Sequence, residues 1–181
     1  RQYFYNNSYS ECINYSFVND DSLENLNWKS EDFKNHNKIS NYMSLEQNKL
    51  RSNLVSSLIR NIEYNNNMSA ENSYRFFEIS TVFGDNDEQV LTCVVNGDKH
   101  EEQWSSKSSK FDKYDMTTIV EDISKLFGLY KSDLTYVIKD VKRNGKKYIY
   151  MTLSVDSLIS KITENSKEQH VNYTKLPYIR R

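Results

Sequence analysis

The side chains that most often carry catalysis or bind metals are few in this chain, and they do not cluster. No histidine lies at helical spacing from a second histidine or from a cysteine. Zinc sites need several such ligands at short spacings, so we expect no metal site. These residues are His36, His100, His170, Cys12 and Cys93. Each cysteine lies in an apolar, strand-like run, which favours two buried thiols in a cytoplasmic protein and leaves a disulfide as the alternative.

Motifs for nucleotide or nucleophile chemistry are also missing. A phosphate cradle needs clustered glycines, whereas the glycines here stand alone, at Gly84, Gly97, Gly128 and Gly145. The adjacent carboxylates Glu101–Glu102 and Glu121–Asp122 fit a solvated face better than an acid–base pair. No serine or cysteine carries a nucleophile signature such as G-x-S-x-G. The sequence therefore predicts no catalytic, cofactor-binding or metal-ligating residue.

One cluster of basic residues could bind an anionic partner. It surrounds Asn144 and is followed by Tyr148 and Tyr150. Its members are Lys139, Lys142, Arg143, Lys146 and Lys147. We interpret them as candidate contacts to an RNA backbone, with the solvated tip of a hairpin as the favoured alternative. The net charge of −1 gives the chain no general attraction to nucleic acid.

Composition indicates a folded chain rather than a solvated tail. The 181 residues include 14 tyrosines, 8 phenylalanines and 2 tryptophans, which is enough apolar surface for one domain or two small ones. No apolar run is long enough to span a bilayer, so we expect no membrane partner. The chain opens without methionine and without the apolar stretch of a signal peptide, which favours a piece of a longer protein.

The clearest predicted element is an amphipathic helix over residues 45–63. Ser44 and Gln47 form a capping-box pattern at its start. The run of asparagines at 65–67 is expected to end it, because asparagine side chains compete for backbone hydrogen bonds. Its apolar face is predicted from leucines that recur every four residues, at Leu50, Leu54 and Leu58.

The other predicted elements are strands and helices in mixed order. Strands are expected at residues 11–18, 74–83, 88–96, 134–141 and 146–153. The dipeptide Asn144-Gly145 predicts a hairpin between the last two strands. Asp115 is expected to cap a second helix that ends at Gly128, and Asp156 to cap a short third helix. This order favours an α+β fold with a mainly antiparallel sheet flanked by helices.

Five segments of the chain, taken in order, carry a family resemblance. They are SECINYSFV at 10–18, ISNYMSLEQNKLRSNLVSSLIRNIEYN at 39–65, YRFFEISTVF at 74–83, WSSKSSKFDKYDMTTIVEDISKLFGL at 104–129 and YTKLPYIRR at 173–181. Together they resemble the beta subunit of bacterial-type phenylalanyl-tRNA synthetases, and they are spread along nearly all of the chain, from residue 10 to residue 181. The family's His-Pro-Gly segment, expected between Gly128 and Tyr148, is not recognisable.

The resemblance implies a fold like the catalytic core of class II aminoacyl-tRNA synthetases, in a subunit that has lost the chemistry. The region would be a non-catalytic structural and assembly part of phenylalanine–tRNA ligase, packing against the catalytic alpha subunit and supporting aminoacylation of tRNA(Phe). ATP and Mg²⁺ are implied for the whole enzyme, and no cofactor for this region. The implied division is a core domain at 1–172, followed at 173–181 by the extended start of a linker to a C-terminal anticodon-recognising domain.

The resemblance also selects candidates for the subunit interface or its scaffold. They are Glu11, Tyr15, Phe17, Leu50, Arg51, Leu54, Leu58, Phe77 and Glu78. The leucines at this spacing are more often core than interface. Arg51 is expected to orient a carboxylate or a carbonyl, and Glu78 to act as a structural hydrogen-bond acceptor. Two alternatives remain open: a stand-alone α+β module that binds nucleic acid or protein, and a small-molecule enzyme, for which no site residues are seen.

Overall fold

The structure is a computed structural model that describes residues 1–19, 38–42, 48–69, 73–84, 86–99, 104 and 107–174, with side chains up to 167. Its helices are α1 (Gln2–Asn6), α2 (Val55–Met68), α3 (Lys113–Leu126) and α4 (Val155–Thr174), with a 3₁₀ turn at Lys131–Asp133. Its strands are β1 (Ser10–Glu11), β2 (Phe17–Val18), β3 (Lys49–Leu50), β4 (Ser73–Val82), β5 (Glu88–Gly97), β6 (Tyr136–Arg143) and β7 (Lys146–Ser154). No helix in these ranges is long and apolar enough to cross a membrane.

Five of the strands form one sheet in the order β1-β4-β5-β7-β6. The pairs β4–β5, β5–β7 and β6–β7 are antiparallel, whereas β1 runs parallel to β4. The short strands β2 and β3 pair separately and antiparallel. The predicted α+β class is confirmed, and the sheet is mixed, since its edge pair is parallel.

Helices cover both faces of the sheet. Because side chains alternate along a strand, Phe77, Cys93 and Met151 share one face, where they pack against α1, α3 and α4. On the other face Tyr74, Val94, Tyr148 and Tyr150 pack against α2 through its buried residues Val55, Leu58, Ile59 and Ile62. The sheet is therefore the middle layer of three.

The two long hairpins form where the sequence predicted them. Strands β4 and β5 pair from Ser73↔Gly97 to Val82↔Glu88. Strands β6 and β7 are joined by Asn144 and Gly145, whose φ angles are +51° and +74°. Two consecutive residues with positive φ are the requirement of a type I′ turn, which Asn-Gly satisfies with little strain.

The predicted helix over 45–63 is wrong at both ends. Leu50 lies in strand β3 and Leu54 is the residue before the first turn of α2, so the regular leucine spacing runs through three different local structures. The asparagines at 65–67 remain helical, and Asn65 donates a hydrogen bond from Nδ2 to the carbonyl of Asn61 at 2.8 Å. The predicted cap residues Ser44 and Gln47 lie outside the described residues.

Three other predicted boundaries are corrected. Residues 11–18 are not one strand, since only their two ends pair with other strands. Helix α3 is capped by Asp112, whose Oδ1 accepts from the amides of Tyr114 and Asp115, and Asp115 closes the capping box. Helix α4 has 20 residues and is not short; it includes residues 173 and 174, whereas 175–181 lie outside the described residues.

Candidate functional site

Arg51 is an arginine buried inside the protein, with 2% of its surface exposed. Its Nη1 donates to Glu78 Oε1 at 2.8 Å and to the carbonyl of Asn14 at 3.2 Å. Its Nε donates to the carbonyl of Thr81 at 3.1 Å, and its Nη2 donates to the hydroxyl of Ser80. The prediction that Arg51 orients a carboxylate or carbonyl is confirmed by these contacts. The planar guanidinium suits such a set of acceptors, because its donors are fixed in a fork.

Glu78 completes this buried network from β4. It is 1% exposed, and besides Arg51 it accepts from Asn14, at 3.3 Å from the backbone amide and at 2.8 Å from Nδ2. The amide oxygen of Asn14 accepts in turn from Asn61 Nδ2 at 3.0 Å. Both charges are thus paired and hydrogen-bonded, the condition under which a buried ion pair is tolerated. Glu78 therefore acts as a structural acceptor and offers no free carboxylate to a substrate.

The network holds down a segment that we call the strap, residues 12–18. Its backbone is tied at three points. The amide of Cys12 donates to the carbonyl of Phe77 at 2.8 Å, the amide of Arg51 donates to the carbonyl of Ser16 at 2.9 Å, and Phe17 pairs with Leu50 in the β2–β3 ladder. Side-chain and backbone contacts thus replace the continuous strand that the sequence suggested.

The strap turns its apolar side chains toward solvent. Ile13 is 93% exposed, Tyr15 81% and Phe17 48%. Beside them lies a shallow, open depression of about 200 Å³, lined in part by Tyr15, Phe17, Arg60 and Asn61. Clustered apolar side chains on the surface of a folded protein often mark a place where another molecule packs.

The interface candidates from the sequence divide by burial. Tyr15 and Phe17 lie on the outer face of the strap, and Leu50 is half-buried in β3. The other three apolar candidates, Leu54, Leu58 and Phe77, are fully buried in the core.

Glu11 contacts the N-terminal helix. It accepts from Arg1 Nε at 2.7 Å and from the hydroxyl of Tyr5. These two hydrogen bonds, first that of Tyr5 and then that of Arg1, lower the pKa of Glu11. Glu11 therefore fastens α1 to β1.

Sequence reasoning missed Asn14. The residue links the strap to both partners of the buried ion pair, yet it looks like an ordinary polar position between Ile13 and Tyr15. The one signal was an amide side chain on the inward face of an alternating apolar run.

All five basic candidates lie on the β6–β7 hairpin, but they differ in their partners. Arg143 pairs with Glu63 at 3.3 Å, and Lys147 pairs with Asp140 at 3.6 Å. The remaining three are Lys139, Lys142 and Lys146, all exposed.

The thiols and the titratable clusters show no sign of chemistry in the described part of the chain. Cys12 is half-buried and Cys93 buried, both are free, and burial raises the pKa of the Cys93 thiol. No group of three or more histidine, cysteine or carboxylate side chains that could hold a metal occurs among the described residues. His36 and His100 lie outside them, as does the side chain of His170.

Comparison with known proteins places this chain in a family. A family model described as "Phenylalanyl tRNA synthetase beta chain CLM domain" matches residues 1–148. The phenylalanine–tRNA ligase beta subunit of Coxiella burnetii is 34% identical over 130 residues, which are 69% of this chain and 15% of that protein. The beta subunit of Pasteurella multocida is 31% identical over 127 residues, 66% of this chain and 16% of that protein.

A solved structure shares the fold. Pyrrolysyl-tRNA synthetase from Desulfitobacterium hafniense superimposes with a TM-score of 0.58 at 11% identity, covering 87% of this chain and 64% of that one. The chain spans about a sixth of the length of the curated relatives it matches. The resemblance seen in the sequence is confirmed, and the chain belongs to the family of phenylalanyl-tRNA synthetase beta chain CLM domains.

Proposed function

We propose that this chain is the non-catalytic assembly region of a phenylalanine–tRNA ligase beta subunit, and that its strap packs against the catalytic alpha subunit in the cytoplasm. The observation that carries this proposal is the strap itself. Its polar anchor, Asn14, is half-buried and turned toward Glu78, whereas Ile13, Tyr15 and Phe17 are exposed. In a protein without a partner at this surface, we expect the apolar side chains to face the core and the polar side chain to face solvent.

The exposed side chains are of the type that gives interfaces their binding energy. Aromatic side chains such as Tyr15 and Phe17 are enriched at the centre of protein interfaces. Burying a large apolar side chain contributes about 1.5–3 kcal/mol. Three such residues on one short segment therefore offer a substantial part of the binding free energy of a subunit contact.

The buried network makes this surface ready to bind. Hydrogen bonds from Arg51 and to Glu78 hold the backbone and side chain of Asn14, so the neighbouring residues of the strap have a defined position before the partner arrives. A preorganised surface loses less conformational entropy on binding than a loose one. Glu78 and Arg51 thus act on the interface through the strap and not by touching the partner.

The chemistry of the ligase is assigned to the alpha subunit in this proposal. The fold shared with a tRNA synthetase supports a class II catalytic-core-like origin for this region. The ATP and Mg²⁺ of the whole enzyme have no fitting site among the described residues, because Arg51 is already held by Glu78, Ser80 and backbone carbonyls and no group of three or more His, Cys, Asp or Glu side chains could hold a metal there. The division of the chain into a core domain at 1–172 and the start of a linker at 173–181 belongs to the same proposal.

Co-expression with the alpha subunit from the same source tests the proposal. We expect the unmodified chain to purify as a complex. The double variant Ile13→Ser/Tyr15→Ser should weaken the complex about a hundredfold, because two buried apolar side chains at about 1.5 kcal/mol each sum to about 3 kcal/mol. The matched control is Leu126→Ser/Tyr130→Ser, since these residues are 64% and 80% exposed but lie at the end of α3 and just before the 3₁₀ turn.

Three outcomes are informative. Weakening by the strap variant alone supports the proposal. Equal weakening by both variants, or by neither, contradicts the assigned surface. A folded chain that never associates with the alpha subunit contradicts the assembly role and favours the second candidate function, a stand-alone module that binds nucleic acid through the basic hairpin.

A further inference from the structure

The tip of the β6–β7 hairpin places like charges opposite each other. In the strand register Lys142 faces Lys147, and the next pair toward the turn is Arg143 and Lys146. Like charges directly opposite on neighbouring strands destabilise a sheet. Two such pairs in succession are therefore a local electrostatic cost that the fold of the hairpin does not require.

The backbone ladder between β5 and β7 ends before the tip of the hairpin. It runs from Val90↔Ser154 to Val95↔Ile149, and beyond it Asn96 on β5 reaches β7 through its side chain, which donates from Nδ2 to the carbonyl of Lys147 at 2.8 Å. Lys142 and Lys146 lie on the part of the hairpin beyond this ladder, whereas Lys139 pairs with Tyr150 inside it. Lys139 and Lys146 lie on one face of the hairpin and Lys142 on the other, as the register and the alternation of side chains require.

Acidic neighbours offset only part of this charge. Glu63 on α2 pairs with Arg143, and Asp140 pairs with Lys147 and with Lys113. Within the described ranges, Lys139, Lys142 and Lys146 have no ion pair and no side-chain hydrogen bond, and all three are exposed.

Protection of open strand edges accounts for only part of this pattern. Lysines on an edge strand prevent unwanted pairing with other chains, and β6 is the edge strand, as is β7 at Lys146, where its ladder with β5 has ended. Edge protection does not, however, require these lysines to stand opposite other positive charges, as Lys142 and Lys146 do. A ligand with repeating negative charge would relieve the repulsion within these like-charge pairs. Its phosphates would also release their counterions on binding, and both effects favour association.

We propose that Lys139, Lys142 and Lys146 contact the phosphate backbone of an RNA, namely the tRNA that the assembled ligase acts on. The inference rests on the proposed function, because membership of a tRNA ligase is what makes RNA the polyanion to expect. The contacts are to phosphates and carry no base specificity, since lysine binds phosphate as a point charge. Arg143 and Lys147 are excluded from the contact set because carboxylates already hold them.

The test uses the complex with the alpha subunit and a fluorescently labelled tRNA(Phe) transcript, with binding followed by anisotropy at several salt concentrations. The triple variant Lys139→Ala/Lys142→Ala/Lys146→Ala should lose on the order of ten- to a hundredfold in affinity at 0.1 M salt. Its slope of log K against log salt should become shallower by about three, one for each phosphate contact. The control Lys125→Ala/Lys161→Ala/Lys167→Ala removes the same charge outside the hairpin.

A single variant separates binding from folding. Lys142→Thr removes one like-charge pair and places a β-branched residue in a strand, so the melting temperature should stay the same or rise by up to about 3 °C. Its tRNA affinity should nevertheless fall. Loss of affinity together with a lower melting temperature would overturn the inference, because the lysine would then be structural.

Assembly is measured on the same samples by gel filtration, so the two proposals fail separately. Failure of the unmodified chain to form the complex counts against the proposed function. Complexes that form normally but bind tRNA equally with and without the three lysines overturn the present inference, as does an equal loss in the control. A loss of binding to phosphatidylserine vesicles without a loss of tRNA binding also overturns it and identifies a membrane surface instead.

Discussion

Arg51 and Arg143 each pair with a glutamate, but water reaches only one of the two pairs. Arg51 Nη1 lies 2.8 Å from Glu78, and both side chains are 2% exposed. Arg143 Nε lies 3.3 Å from Glu63, and those side chains are 23% and 20% exposed. The first pair fixes the strap from inside the protein, whereas the second lies next to the turn of a hairpin that carries three lysines without ion pairs to the described residues.

The difference shows that burial determines how firmly an arginine–glutamate pair fixes the residues around it. A buried pair fixes its neighbours, since an unpaired charge there would be costly and each member therefore keeps its geometry. A partly exposed pair holds its geometry weakly, because water competes for both charges. We therefore assign a positioning role to the first pair, and to the second only the offsetting of charge near an RNA-binding surface.

Breaking the buried pair should give the largest effect. Glu78→Gln leaves the Arg51 guanidinium buried without its counter-charge, and we expect a loss of about 3–5 kcal/mol in the free energy of unfolding. Urea titration of the chain measures it. The double variant Arg51→Met/Glu78→Leu should lose less than the single one, since no unpaired charge remains, yet it should still weaken binding to the alpha subunit. If Glu78→Gln lowered the free energy of unfolding by less than about 1 kcal/mol, the pair would behave like an exposed one. That result would contradict the distinction between the buried and the exposed pair.

The same substitution at the other pair gives the matched measurement. Glu63→Gln removes the charge facing Arg143, and we expect the free energy of unfolding to fall by less than about 1 kcal/mol. Its tRNA affinity should rise slightly, because Arg143 then adds an uncompensated positive charge to the hairpin. If the two glutamate-to-glutamine variants destabilised the protein equally, burial would not be what distinguishes these pairs.

Substitution of Asp140 should have the smallest effect on stability, and this effect should depend on pH. The hydrogen bond from Lys113, at 2.6 Å, and then the charge of Lys147 lower the pKa of Asp140 below its ordinary value. A carboxylate with a lowered pKa stabilises the fold above its unfolded-state pKa of about 3.9 and loses this contribution as the pH falls through the folded-state pKa. Asp140→Asn should therefore be slightly less stable than the unmodified chain at pH 7, and this difference should disappear in strong acid. A difference that grew on acidification would contradict the assigned ion pairs.

Local patterns predicted the hairpins well, and long-range contacts explain where prediction failed. The aromatic and β-branched residues of β4 and β5 and the turn at Asn144-Gly145 encode structure within a few residues, so the sequence could show them. The leucine repeat misled because the β2–β3 ladder and the burial of Arg51 hold Leu50 outside the helix. No spacing along the chain shows that a strand begins there.

The site was predictable in its parts but not in its assembly. Arg51 and Glu78 were identified one by one, from the resemblance and from the usual behaviour of arginine. Their pairing joins residues 27 positions apart, and Asn14, which links both to the strap, lies 64 positions from Glu78. The exposure of Tyr15 was hidden for the same reason, since an alternating strand does not reveal which face meets solvent.

The central claim, that the strap is the surface that meets the alpha subunit, is tested most directly by site-specific photocrosslinking in the complex. The crosslinker p-benzoylphenylalanine would replace Tyr15, Tyr114 or Tyr130 in turn, three tyrosines that are 81%, 80% and 80% exposed. The account predicts a crosslink to the alpha subunit from position 15 and none from positions 114 and 130. A crosslink from either control position with none from position 15 would contradict it.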